Sequence, residues 1–225
     1  VTNNLLLVEL RLSSNNLTSI GISINTLLTY LAISNNTINN LNVTNNVLLE
    51  AFLATNCGLS TIDVTNNIAL IFLQLGNNSL TAIDVTNNVN LTLLYLNINN
   101  LTTIDVTNNV NLTTLNLDNN NLTALDVSTI STLSELRISN NSITSLDLTN
   151  NVNLTLLRAV NNDFTTLDVS NCTSLKVLTF TGGQLDNIEV SQVLIDLDAN
   201  GQTNGFVEAA IFGGGTLTTA GTTAK

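Results

Sequence analysis

The hydrophobic residues of this chain recur with a fixed period. Apolar side chains return every 21 positions at Leu10, Leu31, Phe52, Leu73, Leu94, Leu115, Leu136, Leu157 and Leu178. A second column follows two residues later, at Leu12, Ile33, Ala54, Leu75, Leu96, Leu117, Ile138, Ala159 and Phe180. Nine units hold this phase without an insertion. Each unit also has a second half of similar form, as in Ile62-x-Val64, Ile83-x-Val85, Ile104-x-Val106 and Leu125-x-Val127. Side chains two apart face the same way on an extended backbone. One unit thus predicts two short extended segments joined by two tight turns. No unit can bury its leucines alone, so the units must stack.

Stacked strands pair at about 4.8 Å, which gives nine coils a length of roughly 40 Å. The 10 or 11 residues left for the back of each coil are short for a helix. The expected architecture is therefore a β-rich, right-handed, gently curved solenoid of 21-residue coils. Its parallel sheet lines the concave face, with extended or 3₁₀ segments behind. Residues 1–192 form the array; 193–225 form a degenerate last coil through Leu194, Leu197 and Ala199, then a partial C-terminal cap or mobile tail.

A polar column accompanies the apolar ones at Asn15, Asn36, Asn78, Asn99, Asn120, Asn141 and Asn162, with Cys57 and Gly183 as replacements. An inward asparagine carries both donors and an acceptor, and can satisfy turn amides and carbonyls in its own coil and the next. Unpaired, a buried amide would cost kcal/mol, so this ladder must be bonded. Other pairs, such as Asn66-Asn67, Asn87-Asn88 and Asn108-Asn109, are expected at bends where asparagine tolerates left-handed geometry.

The phrase Leu112-Thr-Thr-Leu115-Asn-Leu117-Asp-Asn-Asn120 carries the spacing LxxLxLxxN and resembles the leucine-rich repeat signature. The 21-residue unit with Leu122-Thr-Ala-Leu125-Asp-Val127-Ser128 is similar to the short repeats of internalin-J-like and flavobacterial bacterial surface proteins. The stretch from Val193 to Phe206 resembles the start of the cap that closes the flavobacterial arrays. This likeness implies a secreted or surface-attached protein that works in adhesion or recognition. Some relatives of this kind build a thiol ladder from cysteines in the second core column. Here that column holds Leu, Ile, Ala or Phe instead.

Composition narrows the function further. The chain contains 41 asparagines and no histidine, and its formal charge is -11 from 5 basic and 16 acidic residues. Histidine-based acid, base or zinc chemistry is excluded. So little positive charge leaves nothing to displace counterions from a phosphate backbone, which argues against nucleic acid. No apolar run reaches the roughly 20 residues that cross a bilayer. Cys57 and Cys172 lie about five coils apart, roughly 24 Å and beyond disulfide reach.

Candidate binding residues sit on the outward positions of the LxL strand. Tyr30, Leu53, Phe72, Leu93 and Tyr95 are neighbours on an otherwise polar face, with Arg137 and Arg158 further along. Aromatic and aliphatic side chains turned outward near arginine are the material of binding hot spots, and aromatic faces also stack on sugars. The alternative is that apolar cross-strand rows merely stabilise the sheet.

In the second half, Asp63, Asp84, Asp105, Asp126, Asp147, Asp168 and Glu189 form an outward acidic column. Each carboxylate is expected to cap its own turn or face water, with cation bridging as the alternative. Asp196, Asp198, Asn200 and Gly201 mimic the first half of a calcium loop. The twelfth position of that loop falls on Val207, so tight turns compete with calcium there.

No cofactor is implied, and no nucleophile stands beside a base. The expected function is recognition of an extracellular protein or carbohydrate on the concave face, by a monomeric segment of a larger secreted or cell-surface protein. A passive spacer, or part of a phage receptor-binding protein, is the alternative.

Overall fold

The computed structural model of the chain describes residues 3–181, residues 192, 193, 195 and 197–199, and the backbone of 206–209. The strands are β1 (Glu9–Arg11), β2 (Tyr30–Ala32), β3 (Ala51–Leu53), β4 (Phe72–Gln74), β5 (Leu93–Tyr95), β6 (Thr114–Asn116), β7 (Glu135–Arg137), β8 (Leu156–Val160), β9 (Val177–Thr181) and β10 (Phe206–Ala209). Among the described residues they form one sheet in chain order, parallel throughout. From β1 to β9 the register pairs residues 21 apart, as Phe72 with Leu93 and Arg137 with Arg158. The sequence period is the structural rise.

Most strands are three residues long because only the central residue of each triplet must point inward. Leu73 of β4 and Leu94 of β5 are fully buried, while their flanking residues are half-buried. One coil fills its interior with Leu28, Leu31, Ile33, Ile38, Leu41 and Val43, and the next coils repeat the set. Volume is conserved within a coil. Phe52 shares its coil with Ala54, and Phe164 with Ala159, so each of these coils with a buried ring also carries a small buried residue.

The second half of each coil lies outside any sheet. Val64, Val85 and Val106 are buried there, but the chain then turns twice within the coil. Asn67 N–H donates to Val64 O at 2.9 Å, and Leu70 N–H donates to Asn67 O at 3.1 Å. Among the described residues the back of each coil is a non-helical stretch closed by tight turns with no 3₁₀ helix, so of the two expected forms it takes the extended one. Because those amides bond within their own coil, side chains tie neighbouring coils together here. Asn87 Nδ2 donates to Thr65 O (3.3 Å) and Asn108 Nδ2 to Thr86 O (3.2 Å).

Left-handed backbone falls at different asparagines from those expected. Positive φ occurs at Ser14, Asn35, Asn56, Asn77, Ile98, Asn119, Asn140 and Asn161, in the turn that leaves each strand. Asn66-Asn67, Asn87-Asn88 and Asn108-Asn109 are not among them. The strand must bend sharply to bring the ladder asparagine inward, and the residue before that asparagine takes up the bend.

Beyond β9 the described positions of residues 192–199 are helical. Val193 and Leu197, four apart and on one helix face, are both buried. The described positions of the expected degenerate coil, Leu197 and Ala199, are therefore helical, with Leu197 buried and Ala199 exposed. Leu194 lies outside the described residues.

Candidate ligand-binding face

The outward sheet face presents the predicted residues in three groups. In the centre, Phe72 and Tyr95 meet edge to face, with ring centroids 5.8 Å apart and planes at 68°. Leu93 is the register partner of Phe72, and Gln74 links Leu53 to Tyr95 along the neighbouring column. All five are half-buried. At the start of the stack, the Arg11 guanidinium lies 4.0 Å from the Tyr30 ring centroid and bonds Glu9. Tyr30 thus belongs to a cation–π cluster separate from the central pair.

The third group begins two coils past Tyr95. Arg137 donates to Glu135 Oε2 at 3.3 Å, and its Nε is buried with no hydrogen-bond partner. Arg158 stands beside it in register. Asp118 lies close enough for both arginines to favour its charged form, yet burial wins and raises its pKa. Its carboxylate accepts the Ser139 N–H at 2.6 Å.

The asparagine ladder bonds as its chemistry requires. Asn99 Nδ2 donates to Leu75 O and Leu96 O at 3.0 Å each, and its Oδ1 accepts the Leu80 N–H at 3.0 Å. Asn36, Asn78, Asn120, Asn141 and Asn162 repeat this arrangement. Asn15 departs from it: it is exposed and donates only to Leu12 O and Ser13 O. Cys57 keeps a donor, its Sγ lying 3.2 Å from Ile33 O, but supplies no amide oxygen for the coil before. There the backbone re-routes: Asn39 N–H donates to Cys57 O (3.0 Å), and Asn39 and Gly58 take positive φ. Gly58 is required, since a Cβ there would lie 2.3 Å from Asn39 Oδ1.

A second buried ladder was not anticipated. Asn46, Asn67, Asn88, Asn109 and Asn151 are fully buried in the second-half turns. Asn88 Nδ2 donates to Val64 O (3.0 Å) and Asn67 O (2.9 Å), and the others follow suit. Their Oδ1 atoms have no hydrogen-bond partner. The signal was present in the sequence, because Ile130 and Cys172 occupy the same column and only a buried site alternates asparagine with such residues.

From Asp63 to Asp168 the acidic column is a set of turn caps, and Glu189 lies outside the described residues. Asp84 Oδ1 accepts the Thr86 N–H (2.9 Å) and hydroxyl (2.6 Å), and Asp63, Asp105 and Asp126 do the same with Thr65, Thr107 and Ser128. These bonds, the hydroxyl's first, hold the carboxyls below their ordinary pKa; Asp147 and Asp168 are shifted likewise. Among the described residues no three His, Cys, Asp or Glu gather as metal ligands. Of the calcium-loop candidates, Asp196 and Asn200 lie outside the described residues, and Asp198 is exposed. Both cysteines are buried free thiols, and burial pushes Cys172 up to about 11.

Two exposed apolar features also escaped the sequence reading. Val47, Ile68, Val89 and Val110 form a row on the turns, and Ile98 stands exposed just past β5.

A parallel sheet built from LxL triplets, closed by asparagine ladders at a 21-residue rise, defines a leucine-rich repeat solenoid. The chain is structurally similar to bacterial proteins of that fold. It is 32% identical to the functional domain of InlJ from Listeria monocytogenes, with a TM-score of 0.72 over 89% of this chain and 50% of that one. The leucine-rich effector YopM of Yersinia pestis matches at 26% identity and TM-score 0.64, over 78% of this chain and 51% of that one. A leucine-rich repeat protein of Leptospira interrogans shares the fold at 20% identity and TM-score 0.65, over 90% of this chain and 66% of that one. The chain therefore spans about half the length of the InlJ domain and of YopM. No protein-family model matches the sequence, nor does any curated protein. The InlJ domain includes a cysteine ladder; here the two cysteines occupy two different asparagine columns. The structural matches bear on bacterial leucine-rich repeat proteins and not on flavobacterial arrays in particular, and most of residues 193–206, which resemble the flavobacterial cap, lie outside the described residues. Among the described residues no helix is long and apolar enough to cross a membrane.

Proposed function

We propose that this chain is a non-catalytic recognition module of a secreted or cell-surface protein, and that a protein or glycan binds its concave sheet face. The observation that carries this reading is the Phe72–Tyr95 pair, flanked by Leu53 and Leu93 at the middle of the sheet. Scaffold positions repeat from coil to coil, as the Asp caps do. The outward strand positions instead vary along the stack, with Arg137 and Arg158 the one repeated pair, and most of the central ones are apolar where water would favour polar residues. Half-buried aromatics of this kind release poorly held water when a partner covers them. The likeness to a Listeria functional domain and a Yersinia effector supports a role in contact with other molecules. The unbroken register of β1 to β9 favours the second reading, a stiff spacer that presents another domain.

The purified chain, screened on glycan and extracellular-protein arrays with and without calcium, tests the proposal. A Phe72→Ala/Tyr95→Ala variant is expected to lose its hits while keeping its thermal midpoint. A Val89→Ser/Val110→Ser variant, altered on the turn row, is expected to keep them. Retention of all hits by the first variant would leave the spacer.

A further inference from the structure

Eight described positions form the left-handed column that leaves each strand, and seven of them are asparagine or serine. Ile98 is the exception, with φ of 56° and 47% of its surface exposed. A β-branched side chain crowds its own backbone at such angles, which is why the region is left to glycine, asparagine and aspartate. The same residue interrupts a side-chain ladder. Asn77 Nδ2 donates to Asn56 Oδ1 (3.1 Å), and Asn140 Nδ2 donates to Asn119 Oδ1 (3.0 Å). Ile98 stands between the two runs and can take no part. It is thus unfavourable for the backbone, for the ladder and for hydration at once.

The anomaly is not placed at random. Ile98 follows Tyr95 by three residues, in the turn that leaves β5, the strand that carries Tyr95. The adjoining position is irregular too: Asn97 lies over Gly76, where a Cβ would come within 2.7 Å of its Oδ1. The column of Gly76 and Asn97 varies throughout, as Ser13, Thr55, Asp118 and Val160 show, but its single glycine falls in the coil of Phe72 and Ile98 falls in the coil of Tyr95. Strain that persists beside a candidate site points to use there.

Charge adds a second constraint. The outward strand positions from Glu9 to Thr179 carry Glu9 and Glu135 against Arg11, Arg137 and Arg158, a net of +1 in a chain of formal charge -11. The strand face is therefore less negative than the rest of the chain, with Asp118 already near Arg137 and Arg158 and Glu135 bonded to Arg137. Arg137 and Arg158 stand two and three coils from Tyr95, about 10 and 14 Å along the stack.

We infer that Ile98 is a binding residue. With Phe72, Leu93 and Tyr95 it forms an apolar anchor site for a protein segment whose neighbouring carboxylate reaches Arg137 and Arg158. This rests on the concave-face reading above and deepens it, because two aliphatic side chains beside the rings suit a peptide anchor better than a sugar. Arg158, exposed and in register with Arg137, offers its guanidinium to that carboxylate.

The test combines a displayed random-peptide library and an extracellular-protein array as probes. Wild type is compared with Ile98→Asn, Ile98→Gly, Phe72→Ala/Tyr95→Ala and Arg137→Gln/Arg158→Gln. Ile98→Asn rebuilds the amide ladder and Ile98→Gly only relaxes the backbone, so Ile98→Asn should raise the thermal midpoint. Both should weaken binding of the selected acidic-apolar peptides at least tenfold, and the arginine pair should weaken it in a salt-dependent way. Unchanged binding by both Ile98 variants, with loss in the aromatic variant, overturns the role of Ile98 and leaves the concave-face reading intact. Hits confined to glycans overturn the protein partner alone. Selected peptides without acidic residues overturn the part given to the arginines. No wild-type hit on any probe overturns both readings together.

Discussion

Leu94-x-Leu96 and Ile83-x-Val85 have the same apolar-x-apolar spelling, yet only the first overlaps a strand, β5. The asparagines that follow them behave differently too. Asn99, after the strand half, bonds groups that the backbone leaves over: the Leu75 and Leu96 carbonyls and the Leu80 amide. Asn88, after the second half, donates to Val64 O and Asn67 O, which already accept the Asn67 and Leu70 amides. The first ladder therefore completes the backbone, and the second reinforces what the turns have closed. This explains which substitutions each tolerates. Cysteine in the first ladder forces a rearrangement at Asn39 and Gly58, whereas Ile130 sits in the second with its turn bonds kept, Ile130 N–H to Val127 O at 3.0 Å. The decorations divide in the same way. Outward residues of the second half are repeated caps, and those of the strand half are individual.

The largest effect should come from the first ladder. Asn99→Ala leaves the Leu80 N–H buried without an acceptor and is expected to cost about 3 kcal/mol in chemical denaturation. A loss well under 1 kcal/mol would mean that the ladder is decorative.

The matching change in the second ladder should be far milder. Asn88→Ile copies Ile130, removes a buried oxygen with no partner, and leaves Val64 O and Asn67 O bonded. Its stability is expected to stay within about 1 kcal/mol of wild type. Equal losses at Asn99 and Asn88 would break the comparison.

The smallest effect at neutral pH belongs to the caps. Asp63, Asp84, Asp105, Asp126, Asp147 and Asp168 have folded pKa values below the ordinary 3.8. The stability they contribute is complete above that value and is lost as pH falls through the lower folded values. Asp118, raised by burial, runs the other way, since its protonation relieves a folded-state penalty. Six against one, the thermal midpoint should fall in acid. Asn42 already caps Thr44 through its Oδ1, to the N–H at 2.9 Å and the hydroxyl at 2.7 Å. Asp84→Asn should accordingly keep the neutral midpoint and blunt the acid fall. A midpoint that climbs below pH 3.8 would show that relief of net charge outweighs the caps.

Much of this was legible because stacking ties every coil to the same register. The outward-inward-outward triplets in the sequence are strands β1 to β7 residue for residue, and the first ladder follows from the need to satisfy buried amides. The second ladder was obscured because asparagine suits both a bend and a buried bond, and its apolar substitutes at Ile130 and Cys172 carried the distinction. Ile98 was visible as an odd residue in its column, but the strain depends on a dihedral that spacing does not encode. The helical turn at Val193 and Leu197 was not legible because Leu194, Leu197 and Ala199 also fit a degenerate coil after a register slip, and the apolar spacing there does not decide between the two.

The central claim is that the strand half recognises and the second half supports. It is tested most directly by carrying paired variants of the same coils, Phe72→Ala/Tyr95→Ala and Asp63→Asn/Asp84→Asn, through one binding screen and one thermal titration against pH. The account predicts that the first pair loses binding with its midpoint kept, and that the second keeps binding with a blunted acid response. Binding lost in the aspartate pair and kept in the aromatic pair would contradict it and move recognition to the opposite side of the coil.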